Sequence, residues 1–407
     1  MQNNIMTNLP QGWKMETLGE ILSSDKYSIK RGPFGSTLKK SFFVEKGIRI
    51  FEQYNPINND PHWKRYFISH EKFQELEAFK ATEGDLLISC SGTLGKIVEL
   101  PKDTEMGIIN QALLKIRLNN IKILNSYFIY YFNSPIMQEK ILESTLGSAI
   151  KNIASVKILK QIEIPLPPLK KQERIVGILD ESFAKIDESI KILEQDLLNL
   201  DELMQSALQK AFNPLKDNAK ENYKLPQSWE WKSLEEISEN ISAGGDKPKN
   251  CTESKTAKNQ IPVYANGVNN NGLVGYTDKA TIIKPSLTIS ARGTIGFVCI
   301  RKEPYFPIVR LISLIPCENI LCLHYLYFCL NFFIAKGEGS SIPQLTIPKF
   351  KSLQIPLPPL KEQEQIAEHL DFVFEKTKAL KELYTKELKD YEELKQSLLN
   401  KAFKGEL

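Results

Sequence analysis

The sequence predicts an α+β chain built twice over. Two mixed domains, each a twisted or barrel-like β-sheet plus helices, are joined by two long helices that form an antiparallel coiled coil, an internal pseudo-two-fold repeat. Three observations predict this: a long segment recurs at a constant offset, each recurrence carries a heptad of apolar residues, and short β-rich runs with turn signals fill the rest. A chain of 407 residues has room for two or three domains.

The repeat is the strongest signal. Ile164-Pro-Leu-Pro-Pro-Leu-Lys170, Gln172-Glu173, Ile175 and Leu179-Asp180 recur as Ile355-Pro-Leu-Pro-Pro-Leu-Lys361, Gln363-Glu364, Ile366 and Leu370-Asp371. The match runs without a gap to Lys210-Ala211-Phe212 and Lys401-Ala402-Phe403. A second echo opens each half, Leu9-Pro-Gln-Gly-Trp13 and Leu225-Pro-Gln-Ser-Trp229. A weaker third relates Ser89-Cys-Ser-Gly-Thr-Leu-Gly95 to Ser290-Ala-Arg-Gly-Thr-Ile-Gly296. Three echoes in one order mark a duplicated unit.

The helices follow from the periodicity. In the first block Leu179, Phe183, Ile186, Ile190, Leu193, Leu197 and Leu200 step alternately by four and three, continuing through Met204, Ala207 and Ala211. In the second, Leu370, Val373, Leu380, Tyr384, Tyr391, Leu394 and Leu398 do the same, with Thr377 and Glu387 as polar exceptions. Each block is free of internal proline for about 40 residues, roughly 60 Å of helix. Such a seam needs a cover. Packing of each helix on its own domain is one option; pairing of the two seams, antiparallel, is the better one.

The β-rich runs are Asp85 to Ser89, Ile97 to Leu100 and Leu113 to Leu118, then Thr281 to Ser290 and Phe297 to Ile300. Turns interleave them at Arg31-Gly-Pro33, Ser91-Gly92, Asn266-Gly267, Asn269-Asn-Asn-Gly272 and Arg292-Gly293. Amphipathic helices come late in each domain, around Ser126 to Ser144 and Leu321 to Lys336.

Composition excludes several classes. The chain is 42% hydrophobic and 25% charged, ordinary for a folded protein. Its longest apolar run is broken by His324 and Asn331, and residues 1–9 are polar, so neither a membrane span nor a secretion signal is expected. Six cysteines without a Cys-x-x-Cys pair suggest reduced structural thiols in a cytoplasm. Four histidines (His62, His70, His324, His369) show no metal-ligand spacing. Gly92-Thr-Leu-Gly-Lys96 is too short for a phosphate loop and reads as a strand-to-strand turn. No nucleophile elbow occurs, and no Pro-Pro-aromatic tetrad of an N-methyltransferase. The chain looks catalytically empty.

What remains suits binding. Five basic residues and no acid lie between Lys26 and Val44, around Gly32-Pro-Phe-Gly-Ser36, a tight loop whose amides could approach a phosphate. Candidate DNA contacts there are Lys30, Arg31, Gly32, Ser36, Lys39 and Lys40, with Ser91, Thr93 and Lys96 on the Gly92 turn. The second domain offers Asn266, Asn269, Asn270, Asn271, Lys284, Arg292 and Thr294. Asn and Arg pair bidentately with adenine and guanine edges in the major groove. The net charge of +4 divides as +4 over 1–164, −2 over 165–224, +4 over 225–355 and −2 over 356–407. Positive domains alternate with negative helices.

Together the twin Ile-Pro-Leu-Pro-Pro-Leu-Lys-x-Gln-Glu-x-Ile blocks, the Leu-Pro-x-x-Trp openings, Gly84-Asp85-Leu-Leu-Ile-Ser89 and Gly32-Pro-Phe-Gly-Ser36 resemble the specificity subunit of type I restriction-modification enzymes. The resemblance covers essentially the whole chain. It implies target-recognition domain 1 over 1–164, a first spacer helix over 165–213, a linker over 214–224, target-recognition domain 2 over 225–355 and a second spacer helix over 356–407. It further implies that each domain reads one half of a split, asymmetric site on double-stranded DNA, while the coiled coil sets the unread gap. The chain itself would carry no catalysis, metal or cofactor. It would recruit two modification subunits that methylate adenine N6 with S-adenosylmethionine, and two restriction subunits using ATP and Mg, in a prokaryotic cytoplasm. A stand-alone methyltransferase or nuclease, and a coiled-coil protein unrelated to DNA, are the alternatives.

Overall fold

The computed structural model describes residues 10–143, 153–212, 225–334, 337–338 and 345–407. The expected linker, 214–224, lies outside them. The chain divides into two compact units: unit 1 is Met1–Ile192 with Lys386–Leu407, and unit 2 is Leu193–Thr385.

In unit 1 the two conserved motifs meet. Strand Lys14–Thr17, just after Trp13, pairs antiparallel with Glu163–Leu166, the Ile-Pro-Leu segment, with Glu16 opposite Ile164. Residues about 150 apart in sequence thus form one small sheet. Thr17 then opens a helical turn, and its N–H donates to Glu20 Oε2 at 2.7 Å. The main sheet follows the order Ile29–Arg31, Leu113–Ile116, Leu86–Ser89, Ile97–Glu99, antiparallel throughout. A second sheet of five short strands holds Ile48–Phe51 and Gly107–Ile109 side by side in parallel. Helices Asn125–Asn133 and Pro135–Glu143 bury Tyr127, Phe128, Tyr131 and Met137 in the core beneath the main sheet.

Unit 2 repeats the framework. Strand Glu230–Ser233 pairs with Gln354–Leu357, Lys232 opposite Ile355. Ser233 opens the following turn, its N–H donating to Glu236 Oε2 at 2.8 Å. The four-stranded sheet runs Ser238–Ala243, Ile312–Pro316, Ser286–Ile289, Val298–Arg301, again antiparallel. Helix Leu323–Phe333 buries Tyr325, Leu326, Phe328 and Leu330. The second sheet is smaller, three strands around Ile261–Tyr264.

A buried glutamine locks each copy. Gln172, at the start of the long helix Leu169–Phe212, donates to Lys122 O (3.0 Å) and Pro167 O (2.8 Å) and accepts from Leu124 N (2.9 Å). Gln363, at the start of the long helix Leu360–Lys404, donates to Ile320 O (2.9 Å) and Pro358 O (2.8 Å) and accepts from Cys322 N (2.9 Å). Leu124 and Cys322 are the caps of the core helices, so one side chain ties the long helix, the proline turn and the core helix together. A tyrosine repeats this role: Tyr127 Oη donates to Pro165 O, and Tyr325 Oη to Pro356 O.

Within each unit the two long helices run antiparallel. In unit 1, Lys395 pairs with Asp187 at 2.6 Å, and farther along Phe403 and Leu399 join Ile175 and Leu179 in the core. Phe403 packs edge-on against Tyr127 and Tyr131. In unit 2, Lys381 pairs with Asp201, and Phe212 and Leu208 join Ala367 and Leu370. Phe212 lies edge-on to Tyr325. The end of each long helix therefore closes the core of the unit that the other one starts from.

In the first long helix Leu179, Ile186, Leu193 and Leu200 are buried, and Phe183, Ile190 and Leu197 half-buried. In the second, Leu370 is buried and Val373, Tyr384, Tyr391 and Leu398 half-buried. Two expectations are corrected: Leu380 and Leu394 are exposed, 38% and 44%, and leave the seam. Their places go to the next residues, Lys381 and Lys395, only 29% and 18% exposed. The physical reason is the ion pair each lysine makes with an aspartate on the facing helix, its aliphatic stem covering the seam while its head reaches out.

Candidate nucleic-acid interface

In unit 1 the basic stretch begins on strand Ile29–Arg31. The Lys30 ammonium lies over the rings of Tyr27 (5.4 Å) and Phe79 (5.2 Å). Arg31 donates to Ile153 O at 3.4 Å, with its guanidinium 5.8 Å from the exposed Phe34 ring. Gly32 is buried, and its role is corrected. Its N–H donates to Leu113 O at 2.9 Å, and a Cβ there would fall 1.8 Å from Asn110 O. Glycine is required for strand packing, and its amide has no capacity left for a phosphate. Beyond it, Gly35 (φ +60) starts a short turn through Thr37. Ser36, Lys39 and Lys40 stand exposed on this segment.

The Gly92 turn links strands Leu86–Ser89 and Ile97–Glu99. Gly95 N donates to Ser89 O (3.0 Å) and Lys96 N to Ser89 Oγ (3.0 Å), so these amides serve the hairpin rather than a phosphate. Thr93 and Lys96 are exposed at the tip and Ser91 is half-buried. The Gly84-Asp85 motif serves structure too. Asp85, fully buried, takes a bidentate pair from Arg117 at 2.8 and 2.8 Å and accepts from Thr82 N. Burial works against the Arg117 charge, yet the Asp85 carboxylate raises its pKa above the usual value.

In unit 2 the equivalent hairpin, with Gly296 N on Ser290 O at 3.0 Å, exposes Arg292. Asn266 is reassigned. Its Oδ1 accepts from Ala291 N (2.8 Å) and its Nδ2 donates to Val309 O (2.6 Å), so the amide braces three loops instead of facing DNA. Thr294 is likewise corrected: it lies on the strand paired with Gly337–Glu338, and its hydroxyl is sealed from solvent. Asn269, Asn270 and Asn271 are exposed on the turn Asn269–Gly272. Lys284 meets both oxygens of Glu239 at 2.7 Å, which raises its pKa.

Sequence reasoning missed two features. Lys247, Lys249, Lys255 and Lys258 are exposed in unit 2, a basic run with only Glu253 among it. The charge count that singled out 26–44 would have found it. Arg301 was hidden because a buried arginine on a strand has no sequence mark. Among the described residues no cluster could hold a metal ion, and no helix is long and apolar enough to cross a membrane.

Two mixed units repeat one framework, and each carries its own exposed loops, rich in lysine and asparagine. Residues 10–197 and 226–390 match the family described as type I restriction modification DNA specificity domain, and the chain belongs to that family. A type I specificity subunit of Mycoplasma pneumoniae is 33% identical over 221 residues, 53% of this chain and 56% of that protein. The chain thus spans little more than half the length of that relative. The MjaX specificity subunit of Methanocaldococcus jannaschii is 25% identical over 84% of this chain and 82% of its own. Among solved structures, one described as showing complex assembly and conformational transition of the type I R-M system has a TM-score of 0.79 at 20% identity, covering 98% of this chain and all of that one. The HsdS subunit of Thermoanaerobacter tengcongensis has a TM-score of 0.63 at 20% identity, covering 98% of each chain. These likenesses establish the fold.

Proposed function

We propose that each unit reads one half of a bipartite, asymmetric DNA site and that the paired long helices set the gap between the halves. The observation that carries this reading is the duplicated framework with unlike loops. The glutamine lock, the motif sheet and the four-stranded sheet recur, while the exposed surfaces differ: Lys39, Lys40, Thr93 and Lys96 in unit 1, Asn269–Asn271 and Arg292 in unit 2. One scaffold carrying two different loop sets presents two different half-sites. Lysines placed this way supply phosphate attraction, and asparagine or arginine supplies base-edge pairing.

The chain acts without a cofactor of its own and gathers its catalytic partners. Two modification subunits would dock on near-equivalent surfaces, as a duplicated chain allows. The outward apolar residues of the long helices suit that docking: Ile192 and Leu394 in unit 1, Leu198, Leu203, Phe372 and Leu383 in unit 2. S-adenosylmethionine would then belong to the modification subunits, and ATP with Mg to the restriction subunits.

The test is selection from a random duplex library by the full chain with its modification partners. Recovery of a two-part motif with a constant gap supports the reading; recovery of none sinks it. Four residues, one helical turn, inserted in Leu169–Phe212 should change the gap and leave both half-sites intact.

A further inference from the structure

The turn Asn269–Gly272 has an unusual backbone. Asn270 (φ 48, ψ 35) and Asn271 (φ 51, ψ 32) are consecutive left-handed residues, the geometry of a type I′ turn, which asparagine adopts more readily than other residues with a side chain. Ala265 N donates to Gly272 O at 2.8 Å across its neck, and within the turn Asn271 N donates to Val268 O at 3.1 Å and Leu273 N to Asn270 O; the Asn271 carbonyl points away from these bonds toward the next sheet.

The Asn271 carbonyl is held from the next sheet. Arg301, 8% exposed on strand Val298–Arg301, donates from Nη2 to Asn271 O at 2.5 Å. Its Nε donates to Thr288 Oγ1 at 3.0 Å, and its guanidinium lies 3.6 Å from the centre of the Tyr264 ring. Tyr264 is in turn edge-packed on the buried Tyr305. The guanidinium plane is therefore fixed by the hydroxyl and the ring, and its free edge delivers the Nη2 donor to the turn. A lysine could supply the charge but not this planar geometry. Beside the turn lies a cleft of about 630 Å³ walled by Asn270, Ser254, Lys255 and Tyr276, with the Lys255 ammonium over the Tyr276 ring at 5.5 Å.

We propose that Arg301 is the positioning residue of a base-reading turn: it holds Asn270 and Asn271 left-handed so that their exposed amides meet base edges, while Lys255 takes the neighbouring phosphate. This rests on the DNA-reading function proposed above. Arg301 touches no base; it acts through Asn271. Unit 1 places Leu100 where the hairpin alignment puts Arg301, so the device belongs to one half-site only.

The experiment is random-duplex selection with the full chain and its modification partners, comparing wild type with Arg301→Lys, Asn270→Gly and the double variant. Arg301→Lys should weaken discrimination about tenfold in one half of the motif and leave the other half unchanged. Asn270→Gly keeps the left-handed backbone and removes the amide, so it should relax the same half, and the double variant should relax it no further. Lys255→Gln should lower affinity for all duplexes alike and reduce the salt slope by about one. An Arg301→Lys motif identical to wild type, or both halves relaxed together, overturns the proposal; the latter marks a structural role. A wild type that selects no two-part motif sinks the DNA-reading function itself, a separate result.

Discussion

The Lys395 ammonium sits 2.6 Å from Asp187 Oδ1 on the facing helix, although Lys395 occupies a seam position that the heptad assigns to an apolar residue. Lys381 repeats the arrangement with Asp201, two heptads away on each helix. A lysine in a seam sacrifices apolar contact and in return specifies alignment, because a slip separates it from its partner.

Asp187 is mostly solvent-exposed, so Asp187→Ala should cost only about 0.2–1 kcal/mol. Lys395→Leu should be neutral or stabilising, since it restores an apolar seam. Urea midpoints of both variants check this. A larger loss for the leucine variant than for the alanine one would contradict the apolar character assigned to that seam position.

The pair also has a pH signature. Burial lowers the Lys395 pKa, but the Asp187 and Glu392 carboxylates outweigh it and leave the value raised above the usual 10.5. A raised folded-state pKa means the contribution is whole below about 10.5 and fades as pH climbs through the folded value. Between neutral pH and pH 9 Lys395 should add no slope to stability; above pH 10.5, wild type should lose more than Lys395→Leu. Thermal melting across that range measures it.

The glutamine locks are expected to be worth the same in both units. Gln172→Leu and Gln363→Leu each strand two carbonyls and one amide in a buried site, at about 1–3 kcal/mol for each unsatisfied group. Denaturant unfolding should show losses of similar size. A near-neutral Gln363→Leu would show that water replaces the side chain in that copy.

Phe212 and Phe403 are both fully buried, and each closes its unit against core tyrosines. Truncation to alanine should cost about 3–5 kcal/mol. Phe403→Ala should loosen unit 1 and Phe212→Ala unit 2, read as faster amide exchange in the corresponding core helix, Asn125–Asn133 or Leu323–Phe333.

Lys39 and Lys40 carry phosphate contacts in the proposed function. Neutralising both to glutamine should weaken binding of the full complex to every duplex and reduce its salt slope by about two, with the selected motif unchanged. Unaltered affinity at low salt would remove this segment from the interface.

Much of the fold was legible. The repeats marked the copies, and Leu179, Ile186, Leu193 and Leu200 lie on the inward face of their helix because a 3.5-residue period projects one stripe. The second helix misled at Leu380 and Leu394 because hydrophobicity alone cannot tell a seam leucine from one beside a lysine that has an acid to meet. Candidate contacts divided by backbone chemistry. Lys39, Lys40 and Lys96 are exposed as charge on turns must be, whereas Gly32, Asn266 and Thr294 are drawn into hydrogen bonding and packing by neighbours far along the chain.

The duplication, the long helices, the family and the absence of familiar catalytic motifs are readable along the chain, because these are properties of local spacing and composition. Which motifs meet is a matter of the folded chain. The Trp13 and Ile164 segments become one sheet, Gln172 becomes a lock, and Arg301 comes under the Asn269–Gly272 turn. Each depends on a directed hydrogen bond or ring contact between residues tens to more than a hundred positions apart. Such a bond depends on distance and angle, and a linear spacing of residues encodes neither.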